Sequence, residues 1–166
     1  MTWAHPKIVS SDGTYTLYPW AKDAAGHISA VFGSPASVTV DTTAPTVVSS
    51  VRVNSNPIAA ANVKFAVMFS EPVTGVDSTD FRLTTAGSIS GAAVSGVSGS
   101  GTTYTVTVTT GSGAGTIRLD VVDNDSIVDA TSHLLGGLGA GNGAFTSGEA
   151  YTIPLHHIYL PFVMAK

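Results

Sequence analysis

The sequence predicts an all-β chain: one complete β-sandwich, preceded by an incomplete β unit and followed by a short apolar tail. Three observations carry the prediction. Val63, Phe65, Val67 and Phe69 recur with period two, as do Tyr104, Val106, Val108 and then Ile117, Leu119, Val121, which places each row on one face of a strand. Turn-forming clusters of Gly, Ser, Asn, Asp and Pro punctuate the chain at short intervals. No segment sustains a helical period.

The bulk properties fit that class. The chain has 166 residues, of which 43% are hydrophobic but only 11% charged, against roughly 25% charged in an average soluble protein. Enough apolar material exists for a packed core. The polar surface must come from Ser, Thr, Asn and Gly, as in extracellular β-domains. Disorder would need low hydrophobicity and high charge. The net charge is −4 and the 7 basic residues are scattered singly, so no basic stripe exists to displace counterions from nucleic acid. Cysteine is absent, which fixes no redox compartment for a sandwich of this size. No apolar run reaches the length of a membrane span.

Residues 8–44 read as about three strands. Tyr15-Thr-Leu-Tyr18 and Ser37-Val-Thr-Val-Asp41 alternate, while Ser11-Asp-Gly13 and Asp23-Ala-Ala-Gly-His27 carry turn chemistry. Pro45 restricts Ala44 to extended geometry, so Asp41-Thr-Thr-Ala-Pro45 reads as a short, stiff boundary. Residues 46–153 hold seven expected strands near 47–53, 62–70, 80–85, 89–97, 102–109, 115–122 and 149–153. Gly96–Gly101 and Gly111–Gly115 are the expected hairpin connections. The ten alternating residues named above are the expected core.

Two stretches resemble a known family. Asp12-Gly-Thr-Tyr-Thr-Leu-Tyr, Ala24-Ala-Gly-His27 and Val38-Thr-Val-Asp-Thr-Thr-Ala-Pro-Thr46 resemble the closing strands of bacterial immunoglobulin-like (Big-type) repeats. Phe69-Ser-Glu-Pro-Val-Thr-Gly-Val-Asp77 with Asp80-Phe-Arg-Leu83, Gly99–Val108, Leu119–Asp129 and Gly139–Ile153 are similar to a whole domain of that kind. The resemblance implies an Ig-like sandwich over 45–153 and the C-terminal part of another over 1–44. It also implies a non-catalytic structural or adhesive module of a secreted or cell-surface bacterial protein, neighbouring other Ig-like domains and binding no common ligand. The N-terminus has no secretory signal. An extracellular protein would therefore be represented here by a fragment, a processed form, or a start site placed too late.

Three outcomes are open for the front unit: packing on the second domain, pairing with another chain, or excision from a longer protein. The tail, 154–166, is apolar and broken by Pro161, and Tyr159-Leu-Pro-Phe-Val163 is similar to endings of exported bacterial proteins. It reads as a strand over an open edge, a strand donated to a neighbour in a homo-oligomer, or an attachment signal.

Asp120, Asp123, Asp125 and Asp129 place four of the 11 acidic residues in one short stretch. Hard oxygen ligands at that density suit Ca²⁺, although the spacing is not that of an EF-hand. The competing reading is a turn whose aspartates cap their own backbone. Asp23 and Asp41 are a weaker candidate pair for a metal. Glu71 and Asp77 flank a turn and invite comparison with a glycosidase carboxylate pair, but their expected roles are a strand end and a turn. His5, His27 and His133 stand alone, and His156 and His157 would point to opposite faces of a strand. No Gly-x-Ser-x-Gly elbow or phosphate-binding glycine pattern occurs, so no enzyme is expected. Trp3, Tyr15, Tyr18, Trp20 and Tyr159 are the aromatics available to stack on a sugar or surface polymer. Burial in the front unit is their expected fate, since a thin sheet needs large side chains to build a core.

Overall fold

The computed structural model describes residues 9–31 and 33–155. These are almost entirely strand and loop, with one 3₁₀ turn. No helix is long and apolar enough to cross a membrane. Two compact units divide between Thr43 and Ala44.

The first unit contains β1 (Gly13–Leu17) and β2 (Ala36–Val40), paired antiparallel with Gly13 opposite Val40 and Leu17 opposite Ala36. A third element is reduced to one bridge, Lys22 with Ile28. It closes over the expected turn, where Asp23 accepts from the His27 main-chain N–H at 2.9 Å and its other oxygen meets His27 Nδ1 at 2.9 Å. Asp12 holds the exit of β2: its Oδ1 accepts from Thr42 N–H at 2.7 Å and from Thr42 Oγ1, and its Oδ2 accepts from Thr43 Oγ1. The unit has one layer. Tyr18 is 57% and Trp20 46% exposed, which corrects the expectation that these rings build a core: a two-stranded ribbon has no second sheet to cover them.

The second unit is a sandwich of two antiparallel sheets. One contains β3 (Val47–Arg52), β4 (Asn62–Val73) and β6 (Ala93–Thr109) in the order β3-β4-β6. The other contains β5 (Phe81–Gly87), β7 (Gly115–Val121) and β8 (Ala150–Ile153) in the order β5-β7-β8. All ten expected core residues are buried, joined by Val73, Phe81, Ile127, Leu135, Tyr151 and Ile153. Period-two alternation located these strands because each sheet has one face on the core and one face in solvent.

β6 folds back on itself. Thr109 Oγ1 donates to Ala93 O, Ser95 Oγ to Thr107 O and Ser98 Oγ to Thr105 O. Residues 93–98 therefore lie antiparallel beside 104–109. Gly99 and Gly101 take positive φ in the turn, a conformation that side-chain-bearing residues rarely adopt. The Gly96–Gly101 hairpin is as expected. Gly111–Gly115 is not a hairpin: it carries the chain from one sheet to the other. Its flank pairs with the segment after β5, where Ser90 and Ser112 exchange main-chain bonds at 2.9 Å.

The two sides of the sandwich differ. On one, β3 lies beside β8, and the seam is closed. Glu149 N–H donates to Ser50 O at 2.9 Å, while Arg52 N–H and Nε donate to the Glu149 carboxylate at 2.8 and 3.2 Å. Thr152 O accepts from Ile58 N–H, and Thr152 N–H donates to Asn56 Oδ1. Tyr151 completes the seam. Its ring meets Phe65 edge-on, with centroids 5.0 Å apart, and its hydroxyl donates to Lys64 O at 2.8 Å and accepts from Asn54 N–H at 2.7 Å. On the other side β5 lies beside β6. Among the described residues, no main-chain bond joins β5 to any segment but β7, or 93–98 to any segment outside β6.

Removing the Tyr151 hydroxyl takes the acceptor from the Asn54 amide and leaves Lys64 O with Val53 N–H as its donor. Tyr151→Phe is expected to lower unfolding free energy by about 0.5–1.5 kcal/mol, read as an earlier urea midpoint at unchanged slope.

Candidate functional site

The acidic stretch forms the end of the sandwich where β7 leaves the sheet. Four hydrogen-bonded groups, each centred on one buried aspartate, build it. Asp120 stands on β7 opposite Arg82. It is buried and takes Arg118 Nε at 2.7 Å and Nη2 at 3.3 Å, with Thr84 Oγ1 at 2.5 Å. Burial pushes its carboxyl up, but the Arg118 and Thr84 bonds outweigh that and hold it below the usual range.

Asp123 is also buried. Its Oδ1 accepts from Asp125 N–H at 3.2 Å and its Oδ2 from Gly143 N–H at 2.9 Å, so it ties the 123–126 turn to the glycine loop. Asp125 has φ +65°, and its Oδ1 is buried without a protein partner.

Asp129 organises the next turn. Its Oδ1 accepts from Thr131 N–H, Thr131 Oγ1 and His133 N–H at 2.7–2.9 Å, and its Oδ2 meets His133 Nδ1 at 2.8 Å. Burial raises its pKa, yet the bonds from His133 and Thr131 prevail and bring it to about 2.

Asp80 was not singled out from the sequence, although it is fully buried. Its Oδ2 accepts from Asp77 N–H at 2.7 Å and its Oδ1 from Ser126 Oγ at 2.7 Å. Asp77 in turn caps the 3₁₀ turn Ser78–Asp80 by accepting from Thr79 N–H. This reciprocal arrangement is a capping box, and the Asp77-Ser-Thr-Asp80 spacing is the signal that could have revealed it. Gly75 closes the same corner. A Cβ there would sit 2.2 Å from Ser126 O, at φ +85°, so only glycine lets the two chains pass this closely.

The four predicted metal ligands thus lie at one end of the sandwich; Asp120, Asp123 and Asp129 are engaged by different protein donors, whereas Asp125 is held through its main-chain N–H. Among the described residues they do not bring three ligand atoms within 4.8 Å of one another. Asp125 Oδ1 is the oxygen left over for a cation. Asp41 Oδ1 accepts from Thr43 N–H at 3.1 Å within the first unit, and Asp23 is committed to His27. His133, expected to stand alone, is bonded to Asp129. Glu71 lies within β4 and Asp77 at the 3₁₀ cap. His5, His156, His157, Trp3, Tyr159 and all but the first two residues of the tail, with the strand-donation and attachment readings placed on them, lie outside the described residues.

Clefts formed by described residues include the following two. One, of about 400 Å³, is lined by Ala59, Ala60, Ala61, Thr110, Gly111, Ser112, Gly113 and Ile153. The other, of about 480 Å³ in the first unit, is lined by Pro19, Trp20, Ala21, Ser29 and Ala30. Neither lining contains a titratable side chain. No family model, curated protein or solved structure matches the chain.

Asp129 supplies a sign-definite test. Its folded pKa, about 2, lies below the ordinary 3.8. Its contribution to stability is therefore complete above that ordinary value and is lost as pH falls towards the folded value. Wild-type Tm should fall more steeply between pH 4 and pH 2 than that of Asp129→Asn, which should be the less stable protein at neutral pH. Parallel Tm profiles for the two proteins would contradict this role.

Proposed function

We propose that the chain is a non-catalytic structural and adhesive module of an extracellular bacterial surface or secreted protein, acting as a rigid spacer and an interaction unit through β-structure. The observation that carries this reading is how the acidic groups of the sandwich are used. Asp80, Asp120, Asp123 and Asp129 are buried and spent on main-chain amides, hydroxyls and one arginine. They brace loops at one end of a sandwich, and the described clefts hold no acid, base or metal-ligating side chain. The low charge and the resemblance to bacterial Ig-like repeats support the same setting.

A second reading, a carbohydrate-binding accessory module of a secreted enzyme, is favoured by the exposure of Tyr18 and Trp20. They lie two residues apart beside the cleft at Pro19 and Ser29. Exposed rings of this kind stack on the apolar faces of sugars. Titrating soluble xylan, β-glucan and chitin oligosaccharides while following tryptophan emission separates the two. The structural reading expects no saturable change. Saturable quenching in the wild type that Trp20→Ala removes would replace it with the carbohydrate reading.

Calcium enters either reading as an optional stabiliser at the 123–125 turn, with Asp125 Oδ1 as its first ligand. A ligand held only by the folded state raises Tm. Millimolar CaCl₂ should therefore raise Tm in the wild type and not in Asp125→Asn; no shift in the wild type rejects the ion.

A further inference from the structure

The structural reading leaves open which surface makes contact, and the sandwich offers an answer on its unsealed side. Two edges lie there, residues 93–98 and β5. The first is an irregular template. Val94 and Val97, three residues apart, both pack on the core. The Ser–Thr contacts also shift by one position, from Ser95 with Thr107 to Ser98 with Thr105. These are the marks of a bulge, which twists an edge away from further pairing.

Among the described residues, β5 has no such protection. It pairs with β7 in unbroken register from Phe81 opposite Val121 to Gly87 opposite Gly115. It contains no proline, and its one charge is Arg82. Alternate main-chain groups of an edge strand point away from its neighbour and are free to pair.

From this geometry we infer that β5 is the contact edge and that its occupant is β5 of a second copy, antiparallel about a two-fold axis at Thr84. The inference rests on the structural reading above. In that register Arg82 faces Ala86 of the second copy, Phe81 faces Gly87 and Leu83 faces Thr85. Directly opposed residues of an antiparallel pair share a face. Arg82, Thr84 and Ala86 therefore continue the solvent face across the joint, while Phe81 and Leu83, which pack with the core, extend the inner one. Charge permits the approach. Residues 83–117 carry no charged side chain, so the bodies beside the joint do not repel, although the chain as a whole carries −4.

Ala86 is exposed and tests partner and register together. Sedimentation velocity of the full chain from micromolar to millimolar concentration should show a reversible monomer–dimer equilibrium. Ala86→Glu, which faces Arg82 of the second copy, should tighten it by about two- to thirty-fold. Ala86→Lys should weaken it by a similar factor, the effect of one cross-strand charge pair counted twice. Tm should confirm that both variants fold. A wild type that stays monomeric throughout overturns the inference. So does a dimer that both variants leave unchanged or shift in the same direction, because the contact then lies elsewhere. The absence of a dimer does not produce sugar-dependent quenching at Trp20, so this failure is distinguishable from failure of the structural reading.

Discussion

The seam between β3 and β8 is the constraint on which the second unit depends. Two sheets that merely faced each other would leave four edges and an uncovered rim. Here Glu149 supplies both a main-chain donor to Ser50 and a carboxylate to Arg52, while Tyr151 reaches across to Lys64 and Asn54. Glu149, Tyr151 and Thr152 thereby close a contact with β3 and the segment that follows it, nearly 100 positions away. The hydrophobic rows supply the driving force, but they are non-directional. The seam specifies how the sheets are aligned; on the opposite side, among the described residues, no main-chain bond joins β5 to any segment but β7, or 93–98 to any segment outside β6.

The acidic end follows the same economy. A carboxylate in a low-dielectric corner is costly unless hydrogen-bonded. Each buried aspartate here collects donors from a loop that would otherwise be loose: Asp80 from the Asp77 turn and Ser126, Asp123 from the glycine loop, Asp129 from Thr131 and His133. These bonds brace the loops, and at Asp129, whose pKa is lowered to about 2, the bracing is lost in acid.

Much of the sandwich was legible in the sequence because strand alternation is a local signal: Val63 to Phe69 and Ile117 to Val121 declare a buried face wherever they end up. The Gly111–Gly115 connection was misread because hairpins and sheet-crossing loops use the same glycine and serine chemistry; only the partner, Ser90, tells them apart. Tyr18 and Trp20 were misplaced because burial needs a second layer, which two strands do not supply. The acidic cluster was visible as composition, but its partners were not. Main-chain amides of Gly143 and His133 have no signature in the sequence, and Asp80 is separated from Ser126 by 46 positions.

Amide hydrogen exchange tests the asymmetry of the sandwich most directly. With one side sealed and the other open, the amides of Arg52 and Thr152, edge residues bonded across the seam, should exchange slowly. Along Phe81–Gly87, fast and slow amides should alternate under conditions where the protein is monomeric. Uniformly slow exchange along β5, or fast exchange at Arg52 and Thr152, would contradict the account.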